Sequence, residues 1–132
     1  MIRRLSRKFI YERRSPHRKP AAVKARFRVR YGARTSRYVE AHTRDLSASG
    51  LALESPVIRV DGLHLYDSAD MVTPTRLDMV LGLPAGTITV VGEAVRYDKL
   101  DDGTYVIGVK IVEISPSDRK RYEDYVATLK RK

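Results

Sequence analysis

Strict alternation of apolar and polar side chains is the dominant pattern in this chain. Over 23–31, VKARFRVRY, Val23, Ala25, Phe27, Val29 and Tyr31 alternate with Lys24, Arg26, Arg28 and Arg30. A period of two predicts a strand with one buried face and one strongly cationic face. Further strands are predicted over 36–44, from GLALE at 50–54, over 75–83, and in TITVVGEAVRY at 87–97 and TYVIGVKIV at 104–112. In the last of these Tyr105, Ile107, Val109 and Ile111 share a face. The intervening DKLDDG reads as a hairpin loop.

The period changes at the C-terminus. Ser115 is placed to cap a helix, Pro116 suits its first position, and Asp118 makes a capping-box-like S-x-x-D. Tyr122, Tyr125, Val126 and Leu129 then fall on one stripe, predicting a helix over about 116–131. Lys130, Arg131 and Lys132 suit the negative end of its dipole. Residues 1–12 can form a second, short helix, with Leu5 and Phe9 on one face. Pro16 and Pro20 make 13–20 a loop carrying Arg13, Arg14, His17, Arg18 and Lys19. Six strands and a final helix predict an all-β fold: a six-stranded antiparallel barrel, closed so that no sheet edge is exposed, with the helix packed outside.

A length of 132 residues sets one domain, and 42% hydrophobic residues suit a folded core. Cysteine is absent, which excludes disulfides, thiolate metal sites and thiol nucleophiles. No run approaches the roughly 20 apolar residues of a membrane span, and the basic N-terminus leads into no apolar signal core. The expected location is the cytoplasm. The net charge of +10 is unevenly placed: residues 1–37 hold 14 of the 26 Lys and Arg and one acid, Glu12, leaving the rest of the chain at −3. Such a segment is either a solvated basic tail or the contact for an anionic partner.

Two motifs carry candidate chemistry. RRSPHR at 13–18 contains Arg14-x-x-x-Arg18. The same spacing recurs at Arg3/Arg7, Arg26/Arg30 and Arg30/Arg34, but only the first pair lies in a proline-bounded loop ahead of a strand. DLSASG at 45–50 contains Asp45-x-Ser47-x-x-Gly50, between the end of one strand and the start of the next. Alone, it reads equally as an Asx or Ser turn with a permissive glycine.

In this order, with a strand between them, the motifs resemble the PilZ family, whose signature is R-x-x-x-R followed by [D/N]-x-S-x-x-G. GEAVRY at 92–97, IGVKI at 107–111 and the final ISPSDRKRYEDYV are similar to the family's last hairpin and helix, so the resemblance covers about 13–130. It implies a PilZ-like domain over 13–132 behind a basic extension, 1–12. It also implies a receptor for cyclic di-GMP, with no cofactor and no metal. Carried across by position, Arg14 and Arg18 take phosphate and guanine, and Asp45, Ser47 and Gly50 hold the other guanine. Arg13 stands before the first motif arginine, a position that in the family favours two intercalated ligands. Arg96 is a second candidate for that stacked dimer; its alternative is an exposed strand arginine.

The chemistry agrees. A guanidinium fork matches phosphate oxygens and guanine N7 and O6, and its plane stacks on bases. An ionised carboxylate accepts from guanine N–H groups. The resemblance further implies an N-terminal surface that changes on ligand binding and then engages an effector protein.

One region departs from the family. SPVIRVDGLHLYDSADMVTP, near 55–74, stands where a compact member has a short connection. An extra hairpin, a cover for the pocket and a partner contact are all open readings. The catalytic search finds little. His17, His42 and His64 lack metal-ligand spacing, and Asp101-Asp102 belongs to a turn. The expectation is therefore not an enzyme. The rival reading is a small basic barrel binding nucleic acid through residues 3–37. It has no Trp and only two Phe for base stacking, with Tyr11 and Tyr38 the best candidates.

Overall fold

The computed structural model describes residues 19–66 and 73–129. The predicted helix over 1–12, and Arg13, Arg14, His17 and Arg18, lie outside the described residues, as do Lys130, Arg131 and Lys132.

Strand β1 is Lys19–Pro20, β2 Lys24–Tyr31, β3 Arg34–Thr35, β4 Val39–Leu46 and β5 Gly50–Ser55. A short hairpin follows, β6 Arg59–Val60 and β7 Leu63–His64; then come β8 Thr75–Leu83, β9 Gly86–Lys99, β10 Tyr105–Glu113 and helix α1 Pro116–Thr128. Six of these strands run in the order β4-β5-β10-β9-β8-β2, and β2 pairs back onto β4, so the sheet closes. Every pairing is antiparallel. This is the predicted six-stranded barrel with a C-terminal helix.

The period-two pattern puts the core inside. Ala25, Phe27 and Val29 of β2 are buried between exposed or half-buried cations. In β8, Thr75, Leu77, Met79, Leu81 and Leu83 alternate inward in the same way. The second strand starts three residues later than predicted because Ser36 is used otherwise. Its hydroxyl accepts from the Val29 amide and its amide donates to the Val29 carbonyl, both at 2.8 Å. A buried side chain thus takes over one rung of the ladder.

The segment read from the sequence as an insertion supplies the β6–β7 hairpin. Its turn residues Asp61 and Gly62 both have positive φ, 50° and 82°, the backbone that a two-residue Asp-Gly turn requires. The Asp61 carboxylate accepts from the Arg37 amide at 2.8 Å and its guanidinium at 2.7 Å. That backbone bond and the adjacent charge hold the Asp61 carboxyl below its ordinary value. Val60, Leu63 and Leu65 are buried in the main core, so the hairpin is part of the fold.

Helix α1 starts as predicted at Ser115, whose hydroxyl accepts from the Asp118 amide at 3.2 Å. Only half of a capping box forms. The Asp118 carboxylate turns to the Thr89 amide, 3.2 Å away on β9, and docks the helix on the barrel. Tyr122 and Val126 are buried against the core, and Tyr125 and Leu129 pack at its edge.

Candidate functional site

The outer wall at β4, β5, β10 and β9 gathers the describable part of the predicted site. Leu51 and Leu53 point into the core, so Ala52 between them faces away from the barrel interior, where it too is fully buried. Directly paired residues share a face, and the register reads Pro20↔Asp45, Asp45↔Ala52, Ala52↔Gly108 and Gly108↔Arg96. Asp45 and Arg96 therefore stand on either side of a floor made from the two smallest side chains. Three strand spacings separate them, about 14 Å along the sheet.

Irregularities in two strands set this row. The register slips between Thr43 and Asp45 and again between Gly108 and Val109. At the first slip Thr43 and Leu46 are both buried while Asp45 stays half-exposed. At the second, Val95 is left unpaired and exposed, and Arg96 comes opposite Gly108. The Arg96 side chain lies flat there: its Cγ, Nε and Cζ are within 3.1–3.6 Å of where a Cβ on residue 108 would stand. Arg96 is thus half-buried over the glycine and does not extend into solvent as a bare strand arginine would.

The described residues that follow the arginine motif, Lys19 and Pro20, pair with the strand that carries Asp45. Lys19, covalently next to Arg18, is in register with Leu46, and Pro20 with Asp45. The Ala21 amide donates to the Arg44 carbonyl at 3.0 Å, and the Thr43 hydroxyl donates to the Ala21 carbonyl at 2.6 Å. The Lys19 ammonium donates to the Val126 carbonyl at 3.1 Å, in the last turn of α1.

The turn following Asp45 is tightly built. The Ser47 amide donates to the Gly50 carbonyl at 2.9 Å and its hydroxyl to the same oxygen at 3.2 Å. Ser47 is buried, with its hydroxyl engaged inside the turn. A Cβ on residue 50 would collide with the carbonyl oxygen of Val109, so Gly50 is demanded by the neighbouring strand whatever else approaches it. Beyond the turn an open groove of about 550 Å³ separates Ser49 from Arg119 and Glu123 of α1; it holds none of the predicted polar ligands.

The cationic face of β2 lies on the barrel wall opposite β5 and β10. It is largely occupied by its own partners. Arg28 and Arg30 donate to Asp78 at 3.0 Å each. Burial works against ionisation of Asp78, yet the bonds from Arg30 and Arg28 outweigh it and hold the carboxyl below its ordinary value. Arg26 and Arg28 both stand 5.2 Å from the centre of the Tyr38 ring.

The two described histidines have separate partners. His42 lies 3.6 Å from Glu54, and the His64 Nδ1 accepts from the Tyr66 amide at 2.9 Å. Asp102 accepts from the Thr104 amide and hydroxyl within its turn. Among the described residues no group of His, Asp and Glu could hold a metal ion, and no helix is long and apolar enough to cross a membrane.

A family model described as PilZ domain matches residues 12–128. The chain belongs to the PilZ domain family. Among solved structures it is similar to the Bacillus subtilis inhibitor of motility MotI/DgrA, with a TM-score of 0.58 and 16% identity over 83% of this chain. The match spans 47% of that protein, about half its length. It is also similar to the PilZ domain of YcgR from Escherichia coli, a structure containing c-di-GMP. There the TM-score is 0.56 and the identity 11%, over 85% of this chain and 87% of the other. None of the curated protein sequences matches. At such identities the structures agree in fold, and the family is one of ligand-binding adaptor domains, not a known enzyme family.

Sequence reasoning named Asp45, Ser47, Gly50 and Arg96 but missed the floor between them. Gly108 inside a strand was the available signal, because an interior strand glycine marks a close approach. Lys19 and Tyr122 were seen only as a loop cation and a core side chain.

Proposed function

We propose that this PilZ domain is a receptor for cyclic di-GMP. The ligand lies on the outer row from Asp45 to Arg96. The observation that carries the reading is the register Pro20–Asp45–Ala52–Gly108–Arg96, which puts Pro20, just after the arginine motif, on one row of the outer wall with the Asp45 carboxylate and Arg96. Arg14 and Arg18 clamp the phosphates and one guanine. Asp45 accepts from the N1–H and N2–H of the other guanine. Ser47 and Gly50 shape the turn that presents it. Arg13 and Arg96 supply the planes on which a second, intercalated ligand stacks.

Residues 13–132 form the binding unit, and the basic extension 1–12 precedes it. Binding fixes the arginine segment against the barrel and creates a surface that an effector protein reads. Cyclic di-GMP is the only small molecule the reading requires; it calls on no catalysis.

Charge-assisted hydrogen bonds contribute about 1.5–3 kcal/mol each. Arg14→Ala and Asp45→Ala should therefore each weaken binding by roughly tenfold to a few hundredfold. Calorimetric titration with cyclic di-GMP, against GTP and cyclic di-AMP, tests this. Unchanged affinity in both variants sinks the site. Dependence on Asp45 also separates the reading from a polyanion-binding patch, which has no use for a carboxylate and would lose affinity steeply with salt.

A further inference from the structure

The Tyr122 hydroxyl lies 2.6 Å from the Ser47 carbonyl and 3.1 Å from the Gly50 carbonyl, so its one proton is shared between two backbone oxygens of the Asp45–Gly50 turn. The tyrosine ring is fully buried, and it reaches across 75 residues of sequence to do this. The Gly50 oxygen it approaches already accepts from the Ser47 amide and hydroxyl, so three donors converge on one atom. A buried phenol needs a partner for its O–H, and these carbonyls leave it little freedom to point elsewhere.

We propose that Tyr122 is a positioning residue for the ligand-binding turn: its hydroxyl fixes the conformation in which Asp45 is presented on the outer wall. Two features support a role in placement beyond core filling. The bond goes to the turn itself, where a strand ladder would otherwise leave carbonyls for water. Helix α1 also anchors Lys19, the described residue next to Arg18, whose ammonium donates to the Val126 carbonyl one turn further on. One helix thereby sets the turn and the end of the arginine loop relative to each other. The inference rests on the receptor reading only for its binding measurement.

The test compares Tyr122→Phe, which keeps the ring and removes the donor, with Ile114→Ala, which loosens the packing at the start of the same helix and has no bond to the turn. Cyclic di-GMP affinity is measured by calorimetry, thermal stability by unfolding, and exchange of the Ser47 amide by NMR without ligand. Tyr122→Phe should weaken binding about tenfold and speed Ser47 exchange, while Ile114→Ala should leave affinity within about twofold. Unchanged affinity in Tyr122→Phe overturns the proposal. So does an equal loss in Ile114→Ala at equal thermal destabilisation, which would make the effect one of general stability. If the wild-type protein binds no cyclic di-GMP, the receptor reading fails and the exchange rates decide alone. Faster Ser47 exchange only in Tyr122→Phe then upholds the positioning role, and unchanged exchange rejects it.

Discussion

Lys19 donates its ammonium to the main-chain carbonyl of Val126, 107 residues away, at the C-terminal end of α1. No basic residue of the helix itself occupies that last turn, so this cation from near the start of the chain complements the dipole. Lys19→Met keeps the aliphatic stem and removes the charge. It should cost about 0.5–1 kcal/mol of stability. Amide exchange should quicken first over residues 126–129. Unaltered protection there would show that the contact carries no weight.

The contact of Arg96 with Gly108 leads to a second expectation. A methyl group at 108 meets the Arg96 side chain at 3.1 Å, and a flexible side chain can move aside. Gly108→Ala should therefore fold with little loss in thermal stability. It should also turn Arg96 away and raise the floor, weakening cyclic di-GMP binding by at least tenfold, as an estimate from one lost charged contact. Full affinity would place the ligand away from this row.

Gly50 should behave in the opposite manner. An added Cβ there meets the backbone of β10, which cannot swing away. Gly50→Ala should destabilise by about 2–4 kcal/mol, seen as a lower denaturant midpoint with an unchanged slope. A stability close to wild type would mean that the β5–β10 pairing yields easily.

The pair of arginines on Asp78 predicts an acid limb of stability. The folded-state pKa of Asp78 is lowered, so its contribution is fully present above the unfolded value near 3.9. It is lost as pH falls through the lower folded value. Asp78→Asn should therefore cost stability at neutral pH and flatten the decline below about pH 4. Unfolding midpoints measured between pH 2 and pH 7 check this; parallel curves for the two proteins would refute it.

The barrel was legible because β2, β8 and the first part of β9 alternate cleanly. Phe27 and Val29 between arginines leave β2 only one way to face. The start of β4 was misjudged because Ser36 replaces a ladder rung with its hydroxyl, which no hydrophobic period records. The site was legible as two motifs, yet the row that joins them was not. Asp45 and Arg96 fall on one row only through strand register, and that register is reset by bulges at Arg44 and Val95. Bulges of this kind leave no mark in the apolar pattern. The Asp-Gly turn at 61–62 was written plainly in the sequence, but the burial of Val60, Leu63 and Leu65 beneath it depends on the open space inside this particular barrel.

Because those three side chains fill the interior, the segment carrying β6 and β7 cannot be trimmed away to obtain a minimal binding module, nor used to host a fused reporter. The tip of the β9–β10 connection offers a safer point of attachment. Asp101, Asp102 and Gly103 are exposed there, and Gly103 already has a φ of 91° suited to an open turn. A fluorescent protein spliced at that tip would leave both the barrel interior and the row from Asp45 to Arg96 untouched, and so would suit a sensor built on this scaffold.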